Sequence, residues 1–251
     1  FLLERLLPYR AAWSRSRGDV GVDLVFNVLS AGSAELARPF AAFLCGALAH
    51  RLALSLGASP WPTRWPLLAQ LPLALALGEL GVYWVHRVQH GGGLLWRLHA
   101  IHHSVPRMYW LNNGRNHPLD VLLSVTLLLL PLTLLGAGAD VLALVSIFST
   151  THSFFQHSNI DLRLGPLNWI LSAAEVHRFH HSRVLAESNA NYGQNLLVWD
   201  LCFGTRRVPR HQPPPEDVGL HGPAPFPEDV LGQLAAPFEP ELFRKGDVDE
   251  R

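Results

Sequence analysis

Four apolar stretches stand out along the chain, each bounded by polar or turn-forming residues. Residues 39–59 (PFAAFLCGALAHRLALSLGAS) are apolar apart from the His50–Arg51 pair and scattered small residues. Residues 65–85 (WPLLAQLPLALALGELGVYWV) carry one charge, Glu79. Residues 118–135 (PLDVLLSVTLLLLPLTLL) hold Asp120 near the start and no later charge, and residues 141–157 (VLALVSIFSTTHSFFQH) follow a GAGAD turn. A membrane-crossing helix needs about 20 apolar residues, within a range of roughly 17–25. The second stretch meets this alone. The third and fourth sit near the lower limit and are predicted to form a helical hairpin that crosses and returns. Arg51 is costly at mid-membrane, so the first stretch is expected to let it snorkel or to lie near an interface. The pattern predicts an all-α membrane protein with about four transmembrane or membrane-embedded helices. A soluble bundle of buried helices is the alternative.

This topology returns the polar connections to one side. Residues 86–117 and 158–205 are expected to form one helical, extramembrane cap over the helix ends. Residues 206–251 are Pro-rich and read as an irregular wrap, with a short helix predicted over 227–236.

Composition sharpens the picture. Hydrophobic residues make up 49 % of the 251 and charged residues 16 %, where soluble domains carry about 25 % charge. Twenty Lys+Arg balance 20 Asp+Glu, which excludes both a basic nucleic-acid surface and an acidic disordered chain. Two cysteines, Cys45 and Cys202, cannot make a disulfide framework. The chain begins at Phe1 rather than Met and is expected to be a piece of a longer one.

Eleven of the 14 histidines fall between His86 and His181. His86 and His90 are four apart and share a helical face. His99, His102 and His103 form an HxxHH box, and His177, His180 and His181 repeat it. Each box is expected to present one face of imidazoles to metal, since neutral imidazole is the commonest metal-binding side chain. His152 and His157 are five apart, about 140° on an ideal helix, so they can serve one site only if the helix loosens between them. His117, in NHP, is expected to be a ligand or to stand beside the ligands or the substrate. His50, His211 and His221 read as surface histidines. Glu79, Tyr83, His86 and His90 fall on one helical stripe, and Glu79 is expected either to accept a hydrogen bond from a ligating imidazole or to pair with an arginine.

Zinc ribbons and iron–sulfur centres lack their cysteines here. The Glu-x-x-His pairs of soluble di-iron bundles are also missing. Eight to ten imidazoles exceed what one ion can hold, so two metals are predicted; Fe, Zn, Cu and Ni all suit nitrogen donors. Trp84, Trp96, Tyr109 and Trp110 are expected at the water–lipid boundary, and residues 106–120 at a substrate mouth.

The motifs ELGVYWVHRVQH, LWRLHAIHHS, GRNHP and EVHRFHHS, followed by NYGQNLLVWDLCFGT, resemble the fatty acid hydroxylase / sterol desaturase superfamily from about Glu79 to Thr205. The resemblance implies a non-haem di-iron centre that activates O2 to hydroxylate or desaturate a lipid. It implies metal ligation by His86, His90, His99, His102, His103, His177, His180 and His181, with His157 and, in some members, His152. It implies a structural part for Asn191. Many members carry Asp where Glu79 stands. Nothing here resembles a fused cytochrome or flavin domain, so electrons are expected from a separate ferredoxin- or cytochrome-type donor with its reductase. The histidines are expected on the cytoplasmic side. The rival readings are a zinc-dependent lipid hydrolase using Glu79 or Glu175 as base, and a non-catalytic metal carrier.

Overall fold

The computed structural model describes residues 1–209, 212–221 and 225–243. His211 lies outside the described residues. The helices are α1 (Leu2–Leu6), α2 (Val20–Leu56), α3 (Leu67–Gln89), α4 (Gly93–His103), α5 (Pro118–Leu135), α6 (Ala139–Gln156), α7 (Ala174–His180), α8 (Leu185–Ser188), α9 (Val198–Phe203) and α10 (Val230–Ala235). Among the described residues there is no strand, only isolated bridges such as Pro8–Ile160 and Leu171–Leu196.

Helices α2, α3 and α5 are long and apolar enough to cross a membrane, and the chain is an integral membrane protein. Helix α6 completes the predicted hairpin beside them. Its second half, with Thr150, Thr151, His152, Ser153 and Gln156, is polar. Leu75, Val82, Leu128, Leu132, Val141 and Val145 join α3, α5 and α6 in one apolar core. Gly81 permits the close approach: a Cβ there would lie 2.3 Å from the Leu127 carbonyl oxygen of α5, the small-residue contact by which membrane helices pack.

The expected helix over 39–59 is corrected. It is the far half of α2, which runs 37 residues, about 55 Å. Asp23, Asn27 and Ser30 break the apolar run in sequence, but each has a partner on the 109–115 segment. Asp23 takes Arg115 Nη2 at 2.5 Å and the Tyr109 hydroxyl at 2.5 Å. Asn27 donates to the Leu111 carbonyl, and Ser30 to that of Gly114. The near half of α2 therefore climbs beside the cap. At the far end, Ser59 donates to the Leu135 carbonyl at 3.1 Å, and Gly136 takes a left-handed φ of 80° to turn α5 into α6.

The ends of α3 and α6, the start of α5 and all of α4 and α7 meet on one side, as expected. Helix α10 lies within the predicted 227–236.

Candidate metal centre

Nine histidines converge in two adjoining groups. His86, His90, His99, His103 and His180 form one, and His102, His157, His177 and His181 the other; within each, candidate ligand atoms lie within 4.8 Å of one another. The rings of His103 and His181 stack at 4.4 Å across the boundary.

The division corrects the expectation of one face per box. Pairs four apart stay together: His86 with His90, His99 with His103, and His177 with His181. The remaining member of each HxxHH box crosses over, His102 to the four-histidine group and His180 to the five-histidine group. The reason is angular: adjacent residues on a helix diverge by about 100°, so His102 and His103 cannot serve one ion.

The imidazole tautomers follow from the acceptors around them. A backbone carbonyl or carboxylate facing Nδ1 requires an N–H there. His86 Nδ1 donates to the Tyr192 carbonyl at 2.8 Å, and His180 Nδ1 to that of Ala190 at 2.8 Å. His99 Nδ1 donates to Asp120 Oδ2 at 2.9 Å. His90 and His157 donate to the side-chain oxygens of Asn189 (3.2 Å) and Asn112 (3.0 Å). In each of these five rings Nε2 carries a lone pair directed inward. The Nε2 atoms of His86, His90 and His180 are buried without a hydrogen-bond partner.

In the four-histidine group the Nε2 atoms form a ring. His102–His157, His157–His177 and His181–His102 are each 3.2 Å apart, and His177–His181 3.1 Å. A neutral imidazole Nε2 carries either one hydrogen or one lone pair, so at most two of the four edges can be hydrogen bonds. Buried imidazole nitrogens that converge this closely, without hydrogen bonds for all of them, fit a metal cation in both groups.

Burial, then the neighbouring imidazoles, push His90, His99, His103, His177, His180 and His181 well below the ordinary imidazole range and His102 down to about 3. All are neutral at pH 7, as ligation requires. Unfolded imidazoles titrate near 6.5, so below that pH the unfolded chain binds more protons. The metal-free protein is therefore expected to lose stability as pH falls from 7.5 to 5, by up to about 1.4 kcal/mol per pH unit for each depressed imidazole. Thermal unfolding across that range checks this, and a flat melting temperature would contradict it.

One loop orients three rings. Asn189, Ala190 and Tyr192 supply the acceptors for His90, His180 and His86. Asn191 between them adopts φ 57°, a left-handed conformation that asparagine tolerates, and its amide clasps both the N–H and the carbonyl of Arg207. Asp200 accepts from the backbone N–H groups of Tyr192 and Gly193 and from the Thr205 hydroxyl.

The expectations for Glu79, His152 and Tyr109 are corrected. Among the described residues no imidazole donates to Glu79; its carboxylate accepts the N–H groups of Gln194 (3.0 Å) and Asn195 (2.9 Å) and the Asn195 side-chain amide. His152 lies in neither group. It is turned away from His157, with Nε2 at 2.9 Å from the Ser172 carbonyl and its ring stacked on Phe148. His117 caps α5 through Leu119 N–H at 3.1 Å. Tyr83 is buried, bonded to Thr205 at 3.0 Å and stacked on Phe203. Tyr109 is also buried rather than at a boundary. Residues 106–120 turn their polar groups inward: Arg107 to Asp19, Arg115 to Asp23, Asn112 to His157.

Asp120 was legible as the lone acid of its apolar stretch, yet its partner was not. It joins His99 to Gln89, whose amide donates to it at 2.5 Å. Asp120→Asn keeps the volume but places an amide against two N–H donors. A loss of about 10–100-fold in metal affinity is expected, measurable by metal titration. Unchanged affinity would contradict this role.

A sequence model of the family named fatty acid hydroxylase matches residues 71–205. The chain belongs to this family. It is 39 % identical over 247 residues to ornithine lipid hydroxylase OlsE of Rhizobium tropici, covering 98 % of this chain and 72 % of that one. It is 31 % identical to human alkylglycerol monooxygenase over 58 % of this chain and 32 % of that one. Methylsterol monooxygenase 1 of Rattus norvegicus is 28 % identical over 49 % of this chain and 41 % of its own. No solved structure matches. Named relatives are hydroxylases and monooxygenases, and the chain is a membrane-bound oxidoreductase of this lipid oxygenase family.

Proposed function

We propose that the chain holds two iron ions and uses O2 to hydroxylate a lipid with an amino-acid head group. The observation that carries this reading is the pair of histidine groups, five and four, with ring nitrogens converging within 4.8 Å in each. His86, His90, His99, His103 and His180 would hold one ion and His102, His157, His177 and His181 the other. Nitrogen donors alone do not select iron over zinc; family membership favours iron, with zinc as a substitute. Bound there, iron would supply the reduction of O2 and the oxidation of a C–H bond.

The chain's own residues prepare that chemistry. Asp120, Asn112 and the 189–192 segment hold five of the nine rings, His99, His157, His90, His180 and His86, in one orientation before metal enters. The apolar helices bring a lipid beside the site. Electrons come from a separate ferredoxin- or cytochrome-type donor, and the histidines face the cytoplasm. The head-group assignment rests on the relative matched over 98 % of this chain. Desaturation remains the neighbouring chemistry within the family.

The hydrolase alternative needs an available carboxylate base. Glu79 is committed to three N–H donors, and Glu175 accepts the Leu164 N–H at 3.1 Å. The carrier alternative needs ligands along a path across the membrane, whereas the nine lie at one end.

The test supplies iron-loaded protein in vesicles with an electron donor, ornithine lipid and oxygen-18 gas. Heavy oxygen in a hydroxylated lipid is expected. Product formed without O2, or labelled only from water, would overturn the proposal.

A further inference from the structure

We infer that residues 165–171, together with α9, form a collar sunk into the hydrocarbon edge of the bilayer, with lipid acyl chains as its occupant. By sequence these residues fall in the extramembrane cap. Their contacts place them deeper.

Depth is read from α3. The indole N–H of Trp199 donates to the Ala76 carbonyl at 2.8 Å. Ala76 lies ten residues before His86, about 15 Å along the helix axis. Glu79, about 10 Å below His86 by the same rise, holds Gln194 and Asn195. The 165–171 segment is tied to that level: Leu197 N–H donates to the Ile170 carbonyl at 2.8 Å, and Ser172 N–H to the Asn195 carbonyl at 2.9 Å. Both anchors, Ala76 and Glu79, lie inside the apolar span Leu67–Gln89 of α3, so the level of Ile170 falls within that span and below the histidines.

The surface agrees with that depth. Leu167, Trp169, Ile170, Leu201, Phe203 and Trp84 are all exposed, Ile170 at 58 %. They continue the lipid-facing side of α3, since Trp84 packs on Phe203 at 5.0 Å. Two Trp–Arg pairs stand at the upper margin: Arg206 lies 4.0 Å over Trp169, and Arg87 5.5 Å over Trp84. Tryptophan and snorkelling arginine mark membrane interfaces. Irregular chain in a bilayer must have its backbone groups paired, and here Ile170 N–H donates to the Leu167 carbonyl, Leu197 N–H to the Ile170 carbonyl and Asn195 N–H to the Glu79 carboxylate.

Spin-label depth measurement tests this without metal or turnover, so its failure is separate from failure of the oxygenase reading. Ile170→Cys and Leu167→Cys are labelled in a Cys202→Ser background and reconstituted into phosphatidylcholine vesicles. Val184→Cys serves as the water-side reference: Val184 is 55 % exposed, beside the Arg183–Asp217 pair whose aspartate is 82 % exposed. Oxygen partitions into lipid and a nickel chelate stays in water. The expected ratio of oxygen to nickel collisions is several-fold higher at Ile170 and Leu167 than at Val184. Ratios equal to or below that of Val184 at both positions would overturn the inference.

Discussion

Replacing His157 with alanine is expected to lower bound metal from two ions per chain to about one and to reduce turnover by at least about 100-fold. His157 is fully buried, and its Nε2 lies 3.2 Å from those of both His102 and His177. Asn112 fixes its ring through Nδ1, and Asn112 is itself held, donating to the Arg107 carbonyl and accepting the Tyr109 N–H. The substitution removes one of four donors and leaves the Asn112 oxygen facing a void. Loss of a partner behind a ligand already costs 10–100-fold in affinity or activity, so loss of the ligand is the larger effect. His152→Ala gives the contrast. It should keep both ions, because its Nε2 is spent on the Ser172 carbonyl. Metal analysis of the two purified variants decides between them. Equal metal loss in both would contradict the assignment.

Glu79→Ala is expected to dismantle the five-histidine group from a distance. The carboxylate anchors Gln194 and Asn195, at the end of the loop that orients His86, His90 and His180. Alanine would leave three buried donors unsatisfied, at about 1–3 kcal/mol each. The total is a large part of the usual 5–15 kcal/mol stability of a domain. Glu79→Gln keeps the shape and one acceptor oxygen, so it should retain the fold with weakened metal binding. The alanine variant should accumulate poorly and melt well below the wild type, and the glutamine variant should fall between. A Glu79→Ala protein with wild-type melting and two ions would contradict the anchoring role.

These two results mark what the sequence could and could not reveal. Spacing exposed the histidines, because i, i+4 pairs must share a face. It could not divide them between two ions, since HxxHH suits either grouping until the approach of other helices is known. The apolar runs of α3, α5 and α6 were legible from length alone. The near half of α2 was hidden because Asp23 and Asn27 look like interruptions until their partners on 109–115 are seen. Glu79 was rightly singled out as a lone buried acid, and its partner was misjudged for a simple reason. The nearest helical neighbours on its stripe are Tyr83 and His86, whereas the true partners lie over 110 residues away. Asp120, Asn112 and Asn189 orient ligands through contacts no local pattern contains.

The most direct measurement of the central claim is X-ray absorption at the metal edge, with metal content, on protein purified from membranes. The account predicts two iron ions per chain in a shell of imidazole nitrogen without sulfur, and loss of one of the two in the His157→Ala variant. A single ion per chain, or a shell built on sulfur, would contradict it.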